Sequence, residues 1–289
     1  MKVLVTADLH YDITRSREPA RAIAREICGL DADVLLVLGD VAGRDVDIVR
    51  ECLTLFDPFP GRKLFVAGNH DIWTHPGECS LERYERILPA ICRETGFHPL
   101  DLEPLVIGEV GFVGSMGWYD FGYRPAWLKI PLRFYREKIA PGAAARLARY
   151  QHLLAETDDV PEATLSIGAR WMDGEHVRLP MSDLDFCHRL LERFKAGLAA
   201  VALVCRQIVA AFHHVPFAAF VPPARNPSWA FAGAYLGSEM FGEMVLAEPK
   251  VRYAFCGHSH LAGRLKAAHL ECINVGCTYV QKRYEQIEL

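Results

Sequence analysis

Residues 2–10 read KVLVTADLH, a β-prone run that passes directly into an aspartate and a histidine. Residues 33–40, DVLLVLGD, and residues 63–71, KLFVAGNHD, repeat the plan. Each is a short apolar stretch that stops at Gly or Asp. Each is followed by a segment with apolar residues at helical spacing, over 18–29, 46–56 and 81–95. Continuous apolar strands alternating with amphipathic helices predict parallel βαβ units and an α/β fold.

Further along, Leu105–Ile107 and Phe112–Gly114 flank Gly108-Glu109, a hairpin signal. The pattern predicts a long helix over 184–204, strands at 207–212 and 251–256, and a loop over 216–227. It also predicts a helix over 235–246, two short strands within 263–275 broken near Ala268, and an edge strand over 279–288. Residues 115–185 are irregular, with prolines at 125, 131, 141, 161 and 180, and carry Trp118, Trp127 and Trp171. Long loops of this kind usually serve function. The segment is expected to be an ordered capping insert in a single domain spanning 1–289.

The chain has 289 residues, 51% hydrophobic and 24% charged, which excludes general disorder and allows a sizeable core. Thirty-two basic and 36 acidic residues give a net charge of −4. That balance, without a long basic track, argues against nucleic acid as partner. The nine cysteines are scattered and show no C-x-x-C pair, which fits reduced thiols and a cytoplasmic protein. MKVLVTADLH reaches an acid and a histidine too soon for a signal peptide, and the ten-residue apolar run 196–205 is too short to span a bilayer.

Five groups follow the predicted core strands: Asp8-Leu9-His10, Gly39-Asp40, Gly68-Asn69-His70-Asp71, His213-His214 and Gly257-His258-Ser259-His260. The carboxyl ends of strands are where open α/β sheets bind ligands. Asp8 and His10 stand two apart, as do His258 and His260, and in extended chain such pairs share a face. Singly, Asp40 and Asn69 are turn residues, but the joint pattern is a donor set of carboxylates, imidazoles and one amide oxygen without thiolate. It suits manganese, iron or zinc. Seven donors exceed one tetrahedral site and match two metals that share a carboxylate.

These elements, D8-L-H10, G39-D40, G68-N69-H70-D71, H213 and G257-H258-S-H260, resemble the signature of the calcineurin-like metallophosphoesterases. That family includes protein phosphatases, purple acid phosphatases, cyclic-nucleotide phosphodiesterases and DNA-repair nucleases. The resemblance implies two mixed β-sheets flanked by helices, a four-layer α/β/β/α sandwich. It implies two divalent or trivalent ions (Mn, Fe or Zn), the first held by Asp8, His10 and His260 and the second by Asn69, His213 and His258, with Asp40 bridging. It further implies a bridging hydroxide as nucleophile, His70 beside the leaving oxygen and Asn69 orienting phosphate.

Many relatives read G-D-x-x-D, the last aspartate orienting the catalytic histidine. Here position 43 is glycine, and Asp45 is the nearest candidate in the chain. His213 is preferred to His214 as ligand, and Asp71 is expected to brace a turn. Trp118 and Tyr119 are candidates for substrate contact. The expected activity is metal-dependent hydrolysis of a small phosphomonoester or phosphodiester such as a nucleotide. A nuclease and a non-catalytic scaffold are the alternatives.

Overall fold

Parity sorts the apolar residues of each strand onto two faces, and the faces define the layers. In β1 (Lys2–Ala7), Val3, Val5 and Ala7 face one way and Leu4 the other. In β2 (Val34–Leu38), Val34, Leu36 and Leu38 join the first set, whereas Leu35 and Val37 join the second. The computed structural model describes residues 1–289. It continues sheet one with β3 (Arg62–Val66) and β4 (Phe97–Pro99).

Sheet two is built from β5 (Leu105–Ile107), β6 (Val110–Ser115), β7 (Gln207–Phe212), β8 (Val251–Cys256), β9 (Gly263–Ala267) and β10 (Leu270–Asn274). The last strand, β11 (Glu285–Glu288), returns to sheet one. The strand orders are β11-β1-β2-β3-β4 and β5-β6-β7-β8-β10-β9. Within sheet one β1 to β4 are parallel and β11 is antiparallel to β1. In sheet two β6, β7, β8 and β10 are parallel, with antiparallel edges β5 and β9.

The sheets pack face to face through Val5, Leu36, Val66, Phe112, Val209 and Phe255. The outer face of sheet one is covered by the helices Thr14–Cys28 and Val46–Thr54, which bury Ile23, Ile27, Val49 and Leu53. The outer face of sheet two is covered by the helix Asp183–Ala202, which buries Leu190, Phe194, Leu198 and Val201. Ser182 caps that helix by accepting from the Asp185 N–H at 3.1 Å. The expected four layers, two mixed sheets between helices, are thus present. Parallel strands put the carboxyl ends of β1, β2, β3, β7 and β8 along one side of the sandwich.

Several boundaries differ from the sequence reading. The first helix starts at Thr14, four residues early, and accommodates Pro19 internally with one backbone bond lost. Strand β4 was not visible because FHP is short and carries a proline. A helix spans Pro227–Ala232, where loop was expected to end, and the following one begins only at Glu239. Of 279–288 only the last four residues pair; the preceding turn crosses the ends of the strands and carries Tyr279 there. Residues 115–185 form short helical turns on this same side, with Ile139 and Arg170 joined in an isolated bridge.

Candidate metal centre

The ladder of sheet one continues past its strands. The Asp8, His10 and Tyr11 N–H groups donate to the carbonyls of Gly39, Asp40 and Val41 at 3.0, 2.8 and 2.8 Å. Asp8, His10, Asp40, His258 and His260 all have left-handed backbones, with φ between 44° and 64°. Asp and His tolerate this region better than most side chains, and each such residue stores about 1–3 kcal/mol. The spaced pairs therefore converge through tight left-handed turns rather than through the extended alternation expected from their i, i+2 spacing. Gly68 and Gly257 make room: a Cβ would lie 2.2 Å from Asp40 Oδ1 at the first and 2.6 Å from Asp8 Oδ2 at the second.

Two groups of donors result. In one, His10 Nε2 and His260 Nε2 stand 3.2 Å apart, and His260 Nε2 is 3.5 Å from Asp8 Oδ1. In the other, His213 Nε2 lies 3.0 Å from His258 Nδ1 and 3.3 Å from Asn69 Oδ1. Asp40 stands between them. Its Oδ1 is 3.4 Å from His213, and its Oδ2 is 3.7 Å from His10 and 3.9 Å from His70.

The outer contacts decide which atoms carry lone pairs. His213 Nδ1–H donates to the Leu38 carbonyl at 2.8 Å, and His258 Nε2–H donates to the Tyr235 carbonyl at 3.3 Å. Asn69 Nδ2 donates to Asp173 at 2.9 Å. Three lone pairs, from His213 Nε2, His258 Nδ1 and Asn69 Oδ1, therefore point at one another beside a carboxylate. Such an arrangement is repulsive until a cation or a proton enters it, and outer-shell bonds of this kind are what orient metal-binding imidazoles. The residues present thus fit a hard or borderline metal ion.

Electrostatics agree with that reading. Burial works against a charged His213, but Asp40 outweighs it and lifts the imidazole to about 10. Burial likewise disfavours an ionised Asp40, yet His213 and His70 hold it well below the carboxylate range. Burial and His70 keep His10 well below its ordinary value, and burial with His213 and His214 does the same to His258.

The loops are bracketed from behind. Asp71 accepts from the N–H groups of Asp40, Val41, Ala42 and Gly68 at 2.7, 3.0, 3.2 and 2.8 Å, tying the β2 and β3 loops together. Burial and the Asp40 charge raise it to about 7, against the pull of the Gly68 and Ala42 N–H groups. Across the sheets, the His258 N–H donates to Asp8 Oδ1 at 3.0 Å. Lys282 donates to the Asp8 carbonyl at 2.5 Å.

His214 turns away from this cluster. Its Nδ1 meets the Met116 carbonyl at 3.0 Å, its Nε2 is buried without a partner, and burial with His213 lowers it to about 3. His70 stands at the open edge, its ring stacked on Trp73 at 3.7 Å between centroids. Asp45 is not beside it: its carboxylate caps the helix Val46–Thr54, accepting from the Asp47 N–H at 2.9 Å. The carboxylate that approaches position 43 is Asp12, whose Oδ2 lies 2.7 Å from where a Cβ of residue 43 would be. Burial raises Asp12, and His70 opposes that rise.

Beside His70 opens a cavity of about 450 Å³, walled by Trp73, Trp171, Met172 and Tyr279 and edged by Asp12 and Arg170. Trp118 and Tyr119, expected at the substrate, do not reach it. Both are fully buried, Trp118 donating to Asp183 at 3.0 Å and Tyr119 to Asp173 at 3.2 Å. The insert contributes instead through Trp171 and Asp173. Trp73, three residues after His70, was within reach of the motif argument. Trp171 is one of the insert's tryptophans, which as aromatic residues of a capping segment could be expected over the pocket; Asp173 and Tyr279 carry no local signal.

The sequence model of the calcineurin-like phosphoesterases matches residues 1–152. The fold is similar to that of the phosphopantetheinyl hydrolase of Mycobacterium tuberculosis. That likeness has a TM-score of 0.67 at 19% identity, covering 96% of this chain and 90% of that one. It is also similar to a dimetal phosphatase from Danio rerio, with a TM-score of 0.51 at 14% identity and coverage of 99% and 91%. No curated protein matches the chain significantly. No helix is long and apolar enough to cross a membrane. With the family signature matched over more than half of its length, the fold shared and clusters of candidate metal ligands at the strand ends, the chain belongs to the calcineurin-like phosphoesterase family of phosphoester hydrolases.

Proposed function

We propose that the protein is a two-metal hydrolase of a small phosphomonoester or phosphodiester, such as a nucleotide. Asp8, His10 and His260 hold the first ion, Asn69, His213 and His258 the second, and Asp40 is shared. The observation that carries this is the position of Asp40, whose two oxygens face two separate groups of nitrogen and oxygen donors. When bound, two such ions polarise phosphoryl oxygens and supply hydroxide from water at neutral pH.

The side chains supply the rest. His70 Nε2 faces the centre from the cavity edge, placed to deliver a proton to the leaving oxygen, and Trp73 holds its ring. Asn69 spends one amide N–H on Asp173 and keeps the other for a phosphoryl oxygen. The cavity of about 450 Å³ with aromatic walls suits a small ester carrying a flat or apolar group. The net charge of −4 disfavours a nuclease, and the intact donor set disfavours a scaffold without catalysis. Nine free cysteines fit a reducing, cytoplasmic setting.

The test is a screen of manganese-, iron- and zinc-loaded protein over phosphomonoesters, cyclic nucleotides, dinucleotides and DNA. Turnover of a small ester is expected. Cleavage of DNA that falls steeply with salt would replace this reading by the nuclease, and two bound ions without turnover of anything would replace it by the scaffold.

A further inference from the structure

Asp173 lies in the insert, far in sequence from every metal-binding motif, and is 1% exposed. Its Oδ1 accepts from Asn69 Nδ2 at 2.9 Å and from Trp73 Nε1 at 2.7 Å. Its Oδ2 accepts from Trp171 Nε1 at 2.7 Å and from Tyr119 OH at 3.2 Å. All four partners are neutral donors. One carboxylate therefore joins an Asn at the candidate metal centre to two indoles that wall the cavity.

The amide of Asn69 has two nearly isosteric orientations. In the one observed, its oxygen faces His213 Nε2 and, through it, His258 Nδ1. In the other, its NH2 would face those nitrogens and donate to their lone pairs. With both imidazoles neutral, as they must be to take an ion, that second orientation is the better local hydrogen-bonding arrangement, and it would fill the place of a metal with N–H hydrogens. An ionised carboxylate accepts only. With Asp173 on the far side, rotation of Asn69 would set amide oxygen against carboxylate oxygen.

We propose that Asp173 is a positioning residue that keeps Asn69 Oδ1 turned toward the second metal and so holds that half-site receptive. This rests on the two-metal reading. Through Trp73 and Trp171, the same carboxylate fixes the cavity walls in register with the metal. The insert is then part of the metal site's architecture and not only its cover.

The experiment is stepwise manganese titration of chelator-stripped wild type, Asp173→Ala and Asp173→Asn by calorimetry, with elemental analysis of bound metal. Alanine removes the acceptor, and the second ion is expected to bind about 10–100-fold more weakly while the first is unchanged. Asparagine is expected to restore the second ion. Its single oxygen serves Asn69 and Trp73, and its NH2 goes to the other side, where the Tyr119 hydroxyl can accept while the Trp171 N–H, which can only donate, loses its acceptor. Should Asp173→Ala not fold, Asp173→Ser, whose hydroxyl stops short of Asn69, takes its place with the same expected loss. Unchanged affinities in the alanine or serine variant, or equal loss in the asparagine variant, overturn the assignment. A wild type that takes up a single ion overturns the two-metal reading and this assignment with it; a wild type with two ions leaves the variants to decide Asp173 alone.

Discussion

On the proposed two-metal reading, Asp40→Asn separates the two halves of the centre, and its outcome can be worked from the contacts. Asp40 Oδ1 accepts the His70 backbone N–H at 2.9 Å. In the variant, the amide oxygen must keep that position, because turning NH2 toward an N–H loses the bond and costs about 1–3 kcal/mol. That difference favours the inward oxygen by a factor of roughly 5–150. The NH2 then lies where Oδ2 was, toward His10 Nε2 and His70 Nε2. The first half-site loses both a ligand and a negative charge, whereas the second retains an oxygen beside His213, Asn69 and His258. Losses exceeding the 10–100-fold typical of an outer-shell change, more than about 1.4–2.8 kcal/mol, are expected for the first ion. The variant should bind one manganese per chain where the wild type binds two, with an unchanged far-ultraviolet circular dichroism spectrum and no turnover. Equilibrium dialysis with elemental analysis reads the stoichiometry. Two ions at wild-type affinity in Asp40→Asn would refute the shared-carboxylate geometry.

Two other outcomes follow from the same structure. His213 is raised to about 10 by Asp40, so the metal-free protein holds a proton there at neutral pH and an ion must displace it. A raised imidazole contributes stability to the metal-free fold that is full below its unfolded value near 6.5 and is lost as pH rises through about 10. Metal affinity runs the opposite way, falling about tenfold per pH unit on acidification for one displaced proton. Calorimetry in buffers of different ionisation enthalpy should count about one proton released at the second site, and a pH-independent affinity would contradict the protonated pair. Leu36 is fully buried between the sheets, and Leu36→Ala should cost about 2–5 kcal/mol in urea unfolding. A loss well under 1 kcal/mol would mean that the two sheets do not press together at that point.

The layers were legible because their signals are local. VLLVL can only be a buried strand or a buried helix segment, and its length and the GD that ends it decide for the strand. The seven candidate ligands were legible because β1, β2, β3, β7 and β8 are each followed by a chemically distinctive group of two to four residues. What escaped depends on contacts distant in sequence. Asp173 reaches Asn69 across 104 residues, and the DG that follows Trp171-Met172 reads as an ordinary turn. Tyr279, read as strand, lies 4.8 Å from the His10 ring because the closing turn swings over the site. Trp118 and Tyr119 were misplaced because aromatic side chains in an irregular segment serve equally as its own core, and burial decides between the two.

The left-handed backbones at Asp8, His10, Asp40, His258 and His260 have a practical consequence for mutagenesis. Each already carries about 1–2 kcal/mol of conflict between Cβ and carbonyl, and alanine keeps that conflict while removing both the donor and the polar side chain that makes the conformation tolerable. An alanine scan would therefore confound lost chemistry with a displaced main chain, and would overstate the importance of these five positions relative to Asn69 and His213, which do not share that conformation. Asparagine at the two aspartates keeps both shape and backbone preference, and glycine at the histidines accepts the same backbone without the conflict, so those replacements change the donor while the main chain stays in place.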